Sequence, residues 1–474
     1  MPSSITLTTI GGVRIVVPDS LDLITPYVLR EQRDWFEDEI KFVRRLLRPG
    51  QKAIDIGSNC GVYALSVAQA VGPAGRVWAF EPTSETARLL AEGIAANGFG
   101  QVVLERSALS NAGGTAQLLL NENSEFNALA RGTQSTHASE TVPLVTLDEC
   151  MKRHDWREID YVKIDAEGEE ANILMGGERF FAELSPLVQY EIKAGAGLHL
   201  ELVHRFAASG YDSYRLVPSL DLLVPFDAES TPDGYLLNLF CCKQDRAERL
   251  ADLGFLLGSV VRPPPPRKVR LGDLLDAVTD RDAYGWRHTL APLPYGTRLA
   301  GLWERTVAAG NSVGVVEALS FYAVSQDSAL APSVRFGALE ASFNTLKNLC
   351  EREPSFLRLA SVARVAQDYG ARSLAVDLLH RLSNSLLQNR SANLGEPFLA
   401  PSKRFDSASP GEAPGNWVLA AALEEFERLG SYSSFYTGVS ALNRLKLIQT
   451  LGFGSEEMKR RLHLVRERFG LSAS

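Results

Sequence analysis

The sequence has few cysteines, no long apolar run and no excess of positive charge. Five cysteines lack the spacing of a metal site, and their odd number favours free thiols in a reducing compartment. The longest apolar run, near Leu250–Val261, contains Asp252 and is too short to span a bilayer. The net charge is −8 and the basic residues are scattered, which argues against an extended nucleic-acid track. No secretory signal is visible, so we expect a soluble cytoplasmic protein.

Hydrophobic patterning divides the 474 residues into three parts. Residues 1–243 begin with a short hairpin around Gly11-Gly12 and a helix over DWFEDEIKFVRRLL, after which seven strand patterns mostly alternate with helices. This alternation predicts an α/β domain with a seven-stranded, mostly parallel Rossmann-like sheet and an antiparallel strand at its edge. Residues 244–294 contain VVRPPPPRK and predict a linker region. Residues 295–474 consist of amphipathic patterns and predict an all-α domain.

One helical pair in the C-terminal part has the pattern of a repeat unit. The stretch LASVARVAQDYGARSLAVDLLHRL is similar to one helix–turn–helix unit of the tetratricopeptide type, with Gly370 at the turn. No second clean copy is visible, so the pattern alone does not establish a repeat architecture. The stretch EPFLAPSKRFDSASPGEAPG predicts a long loop between helices.

The stretch AIDIGSNCGVYAL carries the strongest chemical signal. A strand ends at Asp55, and Gly57 and Gly61 allow a sharp turn and a close approach to a ligand before a helix begins near Cys60. Dinucleotide-binding turns need the spacing G-x-G-x-x-G, whereas this turn reads G-x-x-x-G after an acid that would repel a pyrophosphate. S-adenosylmethionine (SAM) has a cationic amino group and no phosphates. The pattern therefore favours SAM as the cofactor.

Residues after the next two strands extend this candidate cofactor site. Glu81 ends the strand in VWAFEP, where a carboxylate can accept both ribose hydroxyls. The alternative is an acid that stabilises a helix N-terminus. Ser107 and Ala108 follow the third strand, at a position suited to the edge of an adenine ring, and a plain turn is an equal alternative.

Three charged residues alternate at the end of the fourth strand. Lys163, Asp165 and Glu167 lie in DYVKIDAEGEE, and the two-residue period of a strand places them on one face. Ligands bind outside the carboxyl ends of strands in an open α/β sheet, so we expect this cluster to face the ligand held by Asp55 and Gly57. The alternative is a solvated salt bridge between Lys163 and an acid.

The order and spacing of five motifs resemble the FkbM family of SAM-dependent methyltransferases. These motifs cover roughly residues 30–243 and are DWFEDEIKFVRRLLRPGQKAIDIGSNCGVYALSVA, VWAFEP, SALSNAGGT, VTLDEC and DYVKIDAEGEEANILMGGERFF. The resemblance implies a class I methyltransferase fold with seven strands, one of them antiparallel. It also implies a set of cofactor contacts, in which Ser58 replaces the usual alanine: Asp55, Gly57, Ser58, Asn59, Gly61 and Glu81.

The charged strand end matches the family motif K-I-D-x-E-G-x-E in full. The matching residues are Lys163, Asp165, Glu167, Gly168 and Glu170. Family members are linked to O-methylation of hydroxyl groups on sugars and natural products, so the resemblance implies a sugar or glycan acceptor. Transfer from a sulfonium is an in-line displacement that depends on positioning, and a base assists as the hydroxyl proton leaves.

The residues leave the identity of that base open. Asp165 and Glu167 are both candidates that the sequence does not rank, and Lys163 completes the predicted catalytic group. His137 and His154 are alternatives on loops, where an ordinary surface role is more common. No metal is predicted, because two carboxylates alone do not define a metal site.

Three further residues have open roles, and two further functions compete. Glu191 could line the acceptor side, and Trp156 and Tyr190 could stack on a sugar, but packing roles are equally or more common.

An interaction protein with a vestigial Rossmann-like module is a second hypothesis, against which the intact acids argue. An NAD-dependent oxidoreductase fits the fold class but fails on the glycine spacing. The helical domain lies outside the resemblance, and a protein partner or self-association are open roles for it.

Overall fold

The structure is a computed structural model that describes most of the chain: residues 3–121, 123–129, 138–194, 197–198, 200–258, 282–310, 312–389 and 393–471. His137 and the proline stretch expected to form a spacer, residues 260–268, lie outside the described residues. The chain separates into two compact units. Unit 1 consists of Met1–Leu216, Leu223–Pro232 and Leu236–Gly258, and unit 2 consists of Val217–Leu222, Asp233–Tyr235 and Ser259–Ser474.

Strands occur in the first half of the chain and helices throughout it. The strands are β1 (Ser4–Thr8), β2 (Arg14–Pro18), β3 (Lys52–Ile56), β4 (Arg76–Phe80), β5 (Val102–Glu105), β6 (Ala108–Leu109), β7 (Gly114–Leu119), β8 (Ala128–Leu129), β9 (Ser139–Val145), β10 (Tyr161–Ile164), β11 (Leu187–Glu191), β12 (Lys193–Ala194), β13 (Gly197–Leu198), β14 (Asp212–Val217), β15 (Leu222–Pro225) and β16 (Asn238–Cys242). The helices of unit 1 are α1 (Ile24–Gln32), α2 (Asp38–Leu46), α3 (Val62–Val71), α4 (Ser84–Asn97), α5 (Leu147–Arg153), α6 (Glu170–Met175), α7 (Glu178–Glu183), α8 (Glu201–Ala208) and α9 (Gln244–Asp252).

The described residues of unit 2 also form helices. They are α10 (Trp286–Thr289), α11 (Pro294–Ala308), α12 (Val313–Gln326), α13 (Pro332–Arg352), α14 (Phe356–Tyr369), α15 (Arg372–Asn389), α16 (Pro414–Gly430), α17 (Ser434–Thr437), α18 (Leu442–Thr450) and α19 (Glu456–Arg468). None of the helices in the described ranges is both long and apolar enough to cross a membrane.

The large sheet confirms the predicted α/β class. Its strand order is β15-β14-β16-β11-β10-β3-β4-β5. The five strands from β11 to β5 run parallel, and β16 runs antiparallel to both of its neighbours. The sheet has eight strands rather than seven, and the antiparallel strand is inside it rather than at its edge. The extra strand is β15, which follows a turn at Asp221, where φ is +52°.

Two hydrophobic clusters cover the two faces of this sheet, as expected for strands that are buried on both sides. Ala53 of β3 and Tyr161 of β10 belong to one cluster, while Ile54 and Val162 belong to the other. Successive side chains of a strand point to opposite faces. The number of residues that separates a polar residue at the end of β3 or β10 from these core residues therefore tells which face of the sheet it lies on.

Most of the predicted local elements of unit 1 are confirmed. The hairpin around Gly11-Gly12 is formed by β1 and β2, and α4 is one of the helices that alternate with the strands. A second sheet, with strand order β6-β9-β7-β8, was not predicted. Its strand β7 has the polar sequence GTAQLL and mostly exposed or half-buried side chains, so it lacks the apolar run that identifies a buried strand.

The helical character of unit 2 is also confirmed. Five amphipathic patterns in residues 295–474, which begin RFGALEAS, SFLRLASV, ARSLAVDL, NWVLAAAL and NRLKLIQT, form α13, α14, α15, α16 and α18. Gly370 ends α14 with φ at +92°, a left-handed conformation that glycine adopts without strain, and so forms the predicted turn. Helix α12 was missed because its sequence, VGVVEALSFYAVSQ, is apolar on several sides and lacks a clear amphipathic period.

Candidate active site

The adjacent ends of β3 and β10 bring a lysine and two aspartates together. Parallel pairing places Asp55 opposite Lys163 on the face that also carries Ala53 and Tyr161. Lys163 Nζ lies 2.5 Å from Asp165 Oδ2. The structure therefore joins Lys163 to Asp165, the pair that the salt-bridge alternative names, but Lys163 is buried rather than solvated.

Lys163 is a buried cation surrounded by acids. It is 4% exposed, and its ammonium lies 4.5 Å from the centre of the Tyr63 ring. Burial lowers the pKa of Lys163, but Asp165, Asp55 and Glu37 outweigh burial and raise this pKa above its usual value. For Asp165, burial raises the pKa, but the charge of Lys163 together with hydrogen bonds from Lys163 and Glu191 lowers it by more, so the net shift is downward. Lys163 is therefore protonated and Asp165 ionised at neutral pH.

Asp165 belongs to a group of three close carboxylates. Asp165, Glu167 and Glu191 each place one oxygen within 4.8 Å of the others. Burial, followed by the charges of Asp165 and Glu170, raises the pKa of Glu167 to about 8. Burial, followed by the charges of Asp165 and Glu167, raises the pKa of Glu191 to about 10. Asp165 is consequently the ionised member, which ranks it above Glu167 as a base at neutral pH.

Glu191 also changes the assessment of a metal site. Its position at the end of β11 adds a third carboxylate to the two that sequence reasoning considered. Three such oxygens can ligate a hard divalent cation. Lys163 already neutralises part of the charge, because it contacts Asp165.

Asp55 is buried without a well-formed hydrogen bond. It is 2% exposed, and neither carboxylate oxygen has a donor in good geometry among the described residues, although weaker contacts with the Ser58 hydroxyl and the Ala64 N–H lower its pKa. The Ser58 hydroxyl donates to the backbone carbonyl of Asp55, at 2.9 Å. Burial raises the pKa of Asp55 to about 6 despite the attraction of Lys163, so the carboxylate is mostly ionised at neutral pH. An unpaired buried carboxylate needs a donor from outside the chain.

Gly57 and Gly61 allow close packing of the chain against itself. A Cβ atom on Gly57 would lie 1.7 Å from the carbonyl oxygen of Asp165, and one on Gly61 would lie 2.4 Å from Leu90 Cδ1. The φ angle is +80° at Gly57 and +88° at Gly61, in the left-handed region that favours glycine. Sequence reasoning assigned this close approach to a ligand. The structure shows that the chain itself occupies the space at both glycines, because the end of β10 and helix α4 pack against the turn.

Glu81 holds the turn through Asn59. The Asn59 N–H donates to Glu81 Oε2 at 2.9 Å, while the Thr83 N–H and the Thr86 hydroxyl both donate to Glu81 Oε1 at 2.9 Å. Thr83 and Thr86 lie at the start of α4. The contacts agree with the alternative of an acid at a helix N-terminus. They leave Oε2 with room for one further donor.

The remaining predicted cofactor residues lie after β5. Ser107 is 5% exposed, and its hydroxyl has no hydrogen-bond partner among the described residues. Ala108 begins β6. An unpaired buried hydroxyl beside a small residue is compatible with the edge of a planar ligand.

The aromatic and histidine candidates pack elsewhere. Trp156 is 3% exposed and Tyr190 is fully buried, so both are core residues, as the packing alternative states. His154 Nε2 lies 3.0 Å from Glu105 Oε1, and the imidazole stacks on Trp156 at 5.4 Å. None of the described contacts of His154 is with Asp165 or Glu167.

Sequence reasoning missed a polar network beside Lys163. The Tyr161 hydroxyl donates to Gln189 Oε1 at 2.7 Å, the Gln189 amide donates to the Tyr63 hydroxyl at 3.1 Å, and that hydroxyl donates to Glu37 Oε2 at 2.5 Å. Gln189 is fully buried in the apolar strand LVQYE, and a polar residue in such a strand was a usable signal. Glu37 precedes α2 and carried no comparable signal.

Comparison with known families confirms the resemblance. Residues 55–213, about a third of the chain, match the family model described as the methyltransferase FkbM domain. The match supports methyl transfer as the chemistry of this region, and α10 to α19 lie outside it. A search of the curated proteins finds no match.

Several solved methyltransferases are similar to this chain over half of its length or less. Methyltransferase FkbM from Methylobacillus flagellatus KT is 15% identical with a TM-score of 0.29, over 40% of this chain and 43% of that one. A SAM-dependent O-methyltransferase from Thermotoga maritima is 14% identical with a TM-score of 0.25, over 50% and 77%. A Streptococcus mutans methyltransferase in complex with S-adenosylhomocysteine (SAH) is 10% identical with a TM-score of 0.26, over 43% and 95%. The match thus spans less than half of the Methylobacillus protein.

Proposed function

We propose that the protein is a SAM-dependent methyltransferase that O-methylates a hydroxyl of a sugar, glycan or glycosylated metabolite. The observation that carries this proposal is Asp55, a buried carboxylate without a donor in good geometry among the described residues, placed at the turn where the FkbM domain begins. The ionised Asp165 lies on the adjacent strand end. Cytoplasmic localisation, expected from the sequence, is part of the same proposal.

The residues around the turn fit SAM better than a dinucleotide. Asp55 can accept from a cationic amino group, and Glu81 Oε2 can accept from one ribose hydroxyl. The unpaired Ser107 hydroxyl suits a ring nitrogen of adenine. When bound, SAM supplies a methyl group on a cationic sulfonium that becomes a neutral thioether as the methyl group leaves.

Asp165 is the base in this proposal. The carboxylate of Asp165 takes the proton of the acceptor hydroxyl while it also accepts from Lys163 at Oδ2 and from protonated Glu191. Lys163 is a positioning residue that keeps Asp165 ionised and fixes its orientation. Glu167, largely protonated at neutral pH, can donate a hydrogen bond to a neighbouring oxygen of a polyol, whereas the proton of Glu191 is donated to Asp165.

Calorimetric titration of the full chain with SAH, and with NAD as the matched control, tests the cofactor assignment. We expect micromolar binding of SAH and no binding of NAD, because NAD brings a pyrophosphate towards the unpaired carboxylate of Asp55. SAH binding would justify a screen for acceptors that begins with deoxy-sugar glycans. A folded protein that binds neither ligand would contradict the proposal and favour an interaction protein with a vestigial module.

A further inference from the structure

A short segment far from the strand ends reaches the turn that follows β3. This bridging segment, residues 123–127, precedes β8 and is connected to two parts of the site. Asn123 Oδ1 accepts from the backbone N–H of Ile24 at 2.9 Å, and the Ser124 hydroxyl donates to Asn59 Oδ1 at 3.1 Å. The bridging segment is therefore attached to the first turn of α1 and to the candidate cofactor loop.

Glu125, in the middle of the bridging segment, has one anchored oxygen and one unpaired oxygen. Its Oε1 accepts from the Thr25 backbone N–H at 3.1 Å and also contacts the Thr25 hydroxyl. Thr25 is in the first turn of α1, where backbone N–H groups lack partners within the helix and favour a negative charge. Oε2 is buried, and no donor among the described residues reaches it.

Burial raises the pKa of Glu125 above its usual value, and in its ionised form the charge of Glu125 acts on both sides of the site. Burial, and then the charge of Glu125, raises the pKa of the Cys60 thiol in the cofactor loop. Glu125 also raises the pKa of Glu167, after burial and the charges of Asp165 and Glu170. Glu125 is therefore near the cofactor loop and near the carboxylates at the end of β10, with Oε2 still free to accept.

We propose that Glu125 Oε2 lies beside the sulfonium of SAM and makes the protein bind SAM more tightly than SAH. This inference rests on the proposed function, in which the transferred methyl group lies between the cofactor loop and Asp165. SAM and SAH differ by a methyl group and a positive charge, so an unpaired carboxylate beside the sulfur stabilises SAM selectively. The attraction is lost once the sulfur is neutral, which favours release of SAH.

Calorimetric titration of wild type and Glu125→Gln with SAM and with SAH tests this role. Glutamine keeps the side-chain length and an oxygen that can accept from Thr25. We expect the affinity for SAM to fall by about tenfold or more and the affinity for SAH to change by less than about twofold. Glu92→Gln is the matched control, because Glu92 is an exposed acid of α4 that pairs with Arg88, and it should change neither affinity.

Three results would overturn the assignment of Glu125. An equal loss of both affinities would place Oε2 beside a group that SAM and SAH share, and unchanged affinities would place it away from the cofactor. If Glu125→Gln does not fold, Glu125→Asp is the second variant. Aspartate keeps the charge on a shorter side chain, farther from the ligand, and should still lower the affinity for SAM more than the affinity for SAH. An equal effect of Glu125→Asp on both ligands would also contradict the proposal. Failure of wild type to bind either ligand would instead contradict the proposed function.

Discussion

Two buried carboxylates, one in each unit, have opposite surroundings. Glu424 of α16 is fully buried, and Arg404 donates to both of its oxygens at 2.8 Å, while the Ser455 N–H donates at 3.2 Å. Asp55 is 2% exposed, and neither oxygen has a donor in good geometry among the described residues. A buried charge is costly unless it is paired. Folding alone accounts for Glu424, whereas the position of Asp55 favours a ligand that donates to it.

The balance of charge around these residues shows the same difference. In unit 2, Arg428 contacts Glu424, Glu425 and Glu457, so each of these acids has an arginine partner. In unit 1, the single ammonium of Lys163 is attracted by Asp165, Asp55 and Glu37 together. The first arrangement stabilises the packing of α16 and α19. The second leaves negative charge that a cationic ligand can neutralise.

The largest expected effect on stability comes from Arg428→Met in the paired network. Glu425 is 3% exposed, and its described partner is Arg428, so the substitution leaves a buried carboxylate without a cation. We expect the free energy of unfolding of unit 2 to fall by about 3 kcal/mol, a typical cost of breaking a buried ion pair. Thermal denaturation should show a melting temperature lower by roughly 6–12 °C, and SAH affinity should be unchanged.

Lys459→Met is the control for this stability prediction. Lys459 pairs with Glu456 at 2.6 Å, but both side chains are exposed, so removal of the cation should cost about 0.5 kcal/mol or less. Equal destabilisation by the two substitutions would show that burial does not distinguish the pairs. A loss of SAH affinity in Arg428→Met would show that the two regions do not have separate roles.

A smaller effect is expected from Glu191→Gln, and it depends on pH. The pKa of Glu191 is about 10 in the folded protein, above its usual value, so its contribution to stability is complete below about pH 4.5 and is lost as the pH rises towards 10. Glutamine cannot ionise and can still donate to Asp165. We expect the melting temperature of Glu191→Gln to exceed that of wild type by about 2–4 °C at pH 8, with little difference at pH 5.

The pH profile separates this charge effect from a general change in packing. Glu183→Gln on α7 is the matched control, because Glu183 is half exposed and paired with Arg179, and its difference from wild type should be flat between the two pH values. If Glu191→Gln stabilised the protein equally at both pH values, the raised pKa of Glu191 would not be the cause.

The central strands and their acids could be predicted because the signals are local. Strands β3, β4, β10 and β11 are apolar runs, and a parallel sheet brings their carboxyl ends to one edge. Asp55, Glu81 and Lys163 follow directly from positions in those strands. The pairing of Asp55 opposite Lys163 confirms that these strand ends are adjacent.

The rest of the site depends on contacts between distant segments. Glu37 precedes α2, and Glu125 lies in a polar stretch. Only tertiary packing brings Glu37 near Lys163 and Glu125 near Glu167. Position 57 has no room for a side chain because the Asp165 carbonyl packs against it, and this contact joins residues more than 100 positions apart in the sequence. The ranking of Asp165 above Glu167 required the burial and the charged neighbours that set their pKa values, which no spacing rule supplies.

The most direct test of this account is calorimetric titration of wild type and Asp55→Asn with SAH, with the melting temperature of each protein measured in the same buffer. Asparagine has the shape of the acid without its charge, so the account predicts SAH affinity lower by about 100-fold and a melting temperature that is unchanged or higher. Unchanged SAH affinity in a folded Asp55→Asn protein would contradict the claim that this unpaired carboxylate is there to bind the cofactor.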